Sequence, residues 1–233
     1  MSSVLINAFP KSGLHLAELM IKPLRNPARQ RHNWVADLAG NSWTTHQWGG
    51  FIIEVAASPL VLHKCYMKGH LTYAAIWADW LDRQGIKVLF VTRDLRDVLV
   101  SQAHHILSER NPHPGRANFS GDVGKVMVQC LEGVGVFAGL FDRWAQFRGW
   151  LDRSGVLVVD FADMVQQPEA TCERVVSWLG ESRDKLPYML QAMARKDTPT
   201  FRNGMVGEWR QYWTPEIAKA WKDARRNQFA QTA

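Results

Sequence analysis

Apolar and polar positions along the chain fall into two recurring patterns, short continuous apolar runs and longer stretches of helical spacing. Runs of the first kind predict buried strands at residues 3–9, 60–67, 87–92 and 155–160. Helical spacing predicts helices over about 13–22, 72–84, 96–109, 122–151, 168–179, 185–195 and 215–227. Strands alternating with helices predict an α/β fold with a mostly parallel sheet flanked by helices. Thr214-Pro215 supplies an N-cap and first-turn pair for the last helix. Irregular stretches remain around 25–33, 111–120 and 196–208, and no repeats or low-complexity tracts interrupt the pattern.

Chemistry enters where strands hand over to helices. The run Val4-Leu5-Ile6-Asn7-Ala8 feeds Phe9-Pro10-Lys11-Ser12-Gly13, and a helix follows with Leu14-His15-Leu16. Such a loop aims backbone N–H groups and the positive end of a helix dipole at one spot, which predicts an anion site. It is not a Walker A box, because Lys11 precedes the glycine, and an ordinary nucleotide triphosphatase is disfavoured. A second run, Val88-Leu89-Phe90-Val91-Thr92, ends in Arg93-Asp94-Leu95-Arg96-Asp97 and continues to Ser101. Two parallel strand ends then present binding groups at one sheet edge. Farther on, Arg202-Asn203-Gly204 sets an arginine beside flexible backbone, a combination suited to bidentate phosphate capture.

In this order the three blocks, with Lys68-Gly69-His70-Leu71 between the first two, resemble the cytosolic-type sulfotransferases that use 3′-phosphoadenosine 5′-phosphosulfate (PAPS). The loop Pro10-Lys11-Ser12-Gly13 resembles the family's 5′-phosphosulfate loop, and 93–101 its 3′-phosphate motif. Arg202-Asn203-Gly204 resembles its Arg-Lys-Gly loop, and 68–71 its Lys-Thr-His-Leu block. The segment 156–164 resembles its strand ending in Tyr-Glu-Asp-Met. The resemblance implies one sulfotransferase-like domain over 1–233, a P-loop-like core, PAPS as donor and 3′-phosphoadenosine 5′-phosphate (PAP) as product, with no metal. It implies His70 as base and Lys11 as the bridge between the 5′-phosphosulfate and the leaving oxygen. Ser12, Gly13, Leu14 and His15 lie along the same donor loop. Arg93 and Ser101 hold the 3′-phosphate, and Arg202, Asn203 and Gly204 close over it. Lys68 supports the donor site or ends a strand, and His104 and His105 pack or line the acceptor side.

Departures are specific. Leu14-His15-Leu16 stands where many members have Thr-Thr-Trp, so two hydroxyls and an aromatic are missing and His15 is the one replacement donor. Asn203 replaces a lysine, the adenine contacts are unassigned, and the family's dimer motif survives only in 210–214, leaving a monomer or a homodimer. The acceptor, a small molecule with a hydroxyl or amine, falls to the region 34–50 with Trp43, His46 and Trp48.

Composition narrows the classes further. The chain has 233 residues, 46% of them hydrophobic, enough for a sizeable core. Its net charge of +6 suits an anionic ligand, and no nucleic-acid-binding signature accompanies it. Cys65, Cys130 and Cys172 are odd in number and widely spaced, which predicts neither a disulfide framework nor a zinc site. No stretch has the length of a membrane span or signal segment, so a cytoplasmic protein without membrane contact is expected. Two alternatives remain: a P-loop-like kinase using ATP and Mg²⁺, and a non-catalytic nucleotide- or nucleic-acid-binding module that kept the fold.

Overall fold

Six consecutive buried residues, Ser3–Ala8, form β1, the strand from which the sheet is built. A computed structural model describes residues 2–24, 66–109, 113, 115–195 and 202–230. The chain divides into two compact units, Met1–Arg93 with Phe147–Gly204 and Asp94–Gln146 with Met205–Ala233.

The first unit holds β1, α1 (Leu14–Ile21), β2 (Tyr66–Gly69), α2 (Ala75–Arg83) and β3 (Ile86–Thr92). All four described strands are parallel, in the order β2-β1-β3-β4, with β4 at Leu157–Asp160. Ile6 pairs with Lys68 on one side and Leu89 on the other, so β1 is buried on both edges and both faces. Because the chain steps from β1 to β2 and then to the far side of β1, the order reverses there. In open parallel sheets that reversal opens a crevice at the strands' carboxyl ends. Asn7 fixes the neighbouring chain at that end: its Nδ2 donates to Leu71 O at 2.9 Å, and its Oδ1 accepts from Leu71 N at 2.8 Å. Trp150 Nε1 donates to the same carbonyl at 2.9 Å.

The strand expected at 60–67 forms at Tyr66–Gly69, and residues 60–65 lie outside the described residues, as do 25–33 and the aromatic segment 34–50. After β4 the chain turns directly into α7 (Phe161–Gln166), which the sequence pattern did not predict. Asp160 caps it, accepting from Ala162 N at 2.7 Å. Then come α8 (Pro168–Leu179) and α9 (Leu186–Met193).

The second unit is helical, with α3 (Leu95–Leu107), α4 (Val123–Glu132), α5 (Leu140–Ala145) and α10 (Pro215–Ala230). Its core gathers Val98, Leu99, Ala103, Ile106, Val126, Met127, Leu140 and Ile217. The single helix expected over 122–151 is instead three pieces, α4, α5 and, in the first unit, α6 (Gly149–Asp152). Glycine explains the break. Gly133 has φ 87°, and a Cβ there would come 2.8 Å from the Phe137 carbonyl oxygen, so α4 stops and a tight bridge between Val134 and Phe137 follows.

Candidate active site

The loop after β1 is shaped by two residues in left-handed backbone, Lys11 at φ 71° and Gly13 at φ 108°. A non-glycine residue pays for that conformation, and it persists only where its surroundings enforce it. Ser12 N donates to Phe9 O at 3.1 Å, closing the turn. Thus Ser12 offers its hydroxyl, whereas its backbone N–H is committed to the loop itself. The first helical bonds run from Leu16 N and Ala17 N to Gly13 O, at 3.0 and 3.1 Å. The N–H groups of Leu14 and His15 precede them, and no side chain caps this end of α1. Ser12 is 1% exposed and its Oγ has no hydrogen-bond partner. A buried hydroxyl left unmatched costs about 1–3 kcal/mol, which marks a cradle that an acceptor-rich ligand completes.

Glycine is required at position 13 for space as well as for φ. A Cβ there would lie 2.6 Å from Cδ2 of Phe161, the first residue of α7. The same ring carries the Arg93 guanidinium 4.2 Å from its centroid, and Arg93 Nη1 donates to Lys11 O at 3.3 Å. The loops after β1 and β3, neighbouring parallel strands, are thereby tied together at one sheet edge. Burial, and then the charges of Arg93 and Arg202, bring the Lys11 ammonium down to about 8. Arg202 and Asn203 are exposed, and Gly204 adopts φ 66°. Crowded cations of this kind attract a multiply charged anion.

His70 follows directly after β2. Its Nδ1 lies 2.7 Å from Ala8 O, and since a carbonyl only accepts, Nδ1 carries the proton. In the neutral ring Nε2 then keeps its lone pair. Burial comes first among the causes that lower its titration to about 4; the His15 and Lys11 charges add to it, and the Ala8 hydrogen bond opposes it. Lys68, two residues earlier, donates to Glu18 Oε2 at 2.6 Å.

The structure thus brings Lys11, Ser12, Gly13, Leu14, His15, His70, Arg93 and Arg202 into one unit, joined there by Asn203 and Gly204. Ser101 lies in the second unit, half-buried on α3. There Asp97, 1% exposed, accepts from Gly207 N at 2.7 Å and Trp209 N at 3.0 Å. Arg96 lies 3.8 Å over the Trp209 ring, and His104 Nε2 is 2.9 Å from Tyr212 OH, which makes His104 a packing residue of this unit. Phe161, Glu18 and Asn7 are participants of the first unit that pattern reading missed, and within the second unit it gave Asp97 no partner. Glu18 had a signal, its i+3 spacing from His15; buried Asn7 and Asp97 had none beyond being polar within apolar runs. Among the described residues no group of His, Cys, Asp and Glu could hold a metal ion, and Cys130 and Cys172 are free and buried.

Comparison with known proteins bears on the family and the fold. The sulfotransferase domain model matches residues 1–233. Cytosolic sulfotransferase 6 of Arabidopsis thaliana is 24% identical over 159 residues, covering 56% of this chain and 47% of that protein, so the matched part spans about half of the relative's length. The fold is similar to that of mouse sulfotransferase SULT7A1 complexed with PAP, with a TM-score of 0.67 and 17% identity over 96% of this chain and 82% of that one. It is also similar to retinol dehydratase in complex with androsterone and the inactive cofactor PAP, with a TM-score of 0.63 and 16% identity over 97% and 80% of the two chains.

Proposed function

Since the chain belongs to the sulfotransferase family, we propose that it moves a sulfuryl group from PAPS to a hydroxyl or amine of a small-molecule acceptor. The observation that carries this reading is the pairing of a neutral, Nδ1-anchored His70 with a cationic loop whose buried Ser12 hydroxyl has no protein partner. The two halves are what sulfuryl transfer needs, an anion cradle and a proton acceptor.

The cradle residues fit such a donor by chemistry. Ser12 Oγ and the N–H groups of Gly13, Leu14 and His15 hold the 5′ end, with Lys11 at the leaving oxygen. Arg93, Arg202, Asn203 and Gly204 hold the 3′-phosphate; Ser101 joins them on the sequence pattern alone. When bound, PAPS supplies the activated sulfuryl group. An anion beside Lys11 opposes the burial and the neighbouring cations that lower its titration, so the ammonium is charged when negative charge builds on the leaving oxygen. His70, held in one tautomer by Ala8 O, takes the acceptor's proton on Nε2 as the new S–O or S–N bond forms. In-line displacement requires acceptor and donor to be aligned, and positioning with electrostatic stabilisation would supply most of the rate. The Arabidopsis relative's name and the PAP held by the mouse neighbour support the donor assignment.

The test is transfer from ³⁵S-labelled PAPS across a panel of phenols, alcohols and amines. Labelled product with the wild type, falling by roughly 100-fold or more in His70→Asn while PAP affinity holds, is the expected result. Product formation unaffected in His70→Asn would remove His70 as base. Consumption of ATP with Mg²⁺, and none of PAPS, would replace the donor.

A further inference from the structure

Glu18, one turn inside α1, is the meeting point of three side chains. Its Oε2 accepts from Lys68 Nζ at 2.6 Å and lies 3.6 Å from His15 Nδ1, while its Oε1 accepts from Tyr66 OH at 3.2 Å. The Glu18 and Lys68 side chains are 12% and 11% exposed, so the pair is largely withdrawn from water. Burial alone would raise the Glu18 carboxyl, but His15 and Lys68 outweigh it and bring it down to about 2, so the carboxylate stays charged at any working pH.

A strut between α1 and β2 needs only Lys68 and Tyr66. The third contact reaches His15, in the first turn of α1 and beside the uncapped N–H groups of the anion loop. The His15 side chain is 37% exposed, so burial does not hold it in place. A carboxylate beside one ring nitrogen favours the doubly protonated imidazolium and fixes its orientation, and the other nitrogen then donates to an anion.

We propose that Glu18 is a positioning residue of the donor site: anchored by Lys68 and Tyr66, it pairs with the His15 imidazolium 3.6 Å away at Nδ1, so that the ring's Nε2–H donates to the 5′-phosphate end of the donor. The proposal rests on the PAPS reading above. It explains how a chain carrying Leu14-His15-Leu16 supplies a side-chain contact at the loop, and it gives Lys68 the role of anchoring Glu18.

The experiment is a double-mutant cycle over His15→Ala, Glu18→Gln and both together, titrated with PAP and with adenosine 3′-phosphate, which lacks the 5′ group. Each single variant is expected to weaken PAP by about 5- to 20-fold, the loss of one charge-assisted hydrogen bond. The double variant is expected to be no weaker than His15→Ala, because Glu18 acts through His15. Adenosine 3′-phosphate affinity is expected to stay constant, a pattern that general loosening of the fold does not give. Glu18→Asp, which keeps the charge but withdraws it by one methylene, is expected to show the same selective loss in a fully folded protein. The proposal is overturned if Glu18→Gln leaves PAP binding intact, if its effect adds to that of His15→Ala, or if both ligands weaken alike. A wild type that does not bind PAP overturns the donor reading itself.

Discussion

In the proposed mechanism, His70 and Lys11 would set opposite edges of the pH range in which the site works. His70 titrates at about 4 in the folded chain, below the ordinary 6.5, so its neutral form persists well into acid. Lys11 titrates at about 8 and loses its charge above that. The expected kcat/KM profile of the free enzyme therefore rises through pH 4 and falls through pH 8; an acid limb at 6.5 would exclude His70 in this environment. The signs carry over to stability. The unfolded chain protonates His70 more readily, so this residue makes the fold lose stability as pH drops from 6.5 towards 4, and His70→Ala flattens that dependence. For Lys11 the same logic makes anion binding take up protons: near pH 8 about half a proton should enter with PAP, and none in Lys11→Met. Calorimetry in buffers of differing ionisation heat measures it, and equal apparent heats would contradict it. At position 13 the requirement is steric. Gly13→Ala combines φ 108° with a 2.6 Å approach to Phe161, and should cost about 2 kcal/mol or more in stability and abolish tight PAP binding.

Elements were legible wherever a single local signal ruled. β1 and β3 were visible as continuous apolar runs, and α8 matches the expected 168–179 because Pro168 starts it and Gly180, at φ 66°, ends it. The 122–151 stretch misled because its apolar spacing runs on through Gly133, Gly135 and Gly139, where backbone approach and positive φ override periodicity. Of the candidate site, Lys11, Ser12, Gly13 and Arg93 could be read from strand-loop-helix punctuation, and His70 came from the family resemblance alone. Phe161 and Asn7 act through distant partners, which no local pattern encodes, and Glu18 adds the distant Lys68 and Tyr66 to its local spacing from His15. Asp97 shows what such a partner contributes: on α3 it receives the N–H groups of Gly207 and Trp209 from over a hundred residues away. Asp97→Asn keeps the shape but trades one acceptor for a donor facing an N–H, and should lower stability by about 2 kcal/mol in a denaturant titration. An unchanged midpoint would mean that these two hydrogen bonds contribute nothing.

For the whole molecule the account joins a parallel sheet, an anion loop at its point of strand reversal and a net charge of +6 to one ligand with phosphates at the 3′ and 5′ positions of its ribose. Among the described residues no helix is long and apolar enough to cross a membrane. Charge alone attracts any nucleotide, so affinity for phosphate in general does not distinguish the account, and its salt dependence would be similar for many ligands. Discrimination by the 3′-phosphate does distinguish it. The most direct test is calorimetric titration of the wild-type chain with PAP, adenosine 5′-phosphate and ATP plus Mg²⁺ under identical salt. The account predicts PAP binding at least about tenfold tighter than adenosine 5′-phosphate, a margin of about 1.4 kcal/mol, and no requirement for Mg²⁺. Equal affinity for the two adenosine phosphates, or tight binding of ATP·Mg²⁺ alone, would contradict it.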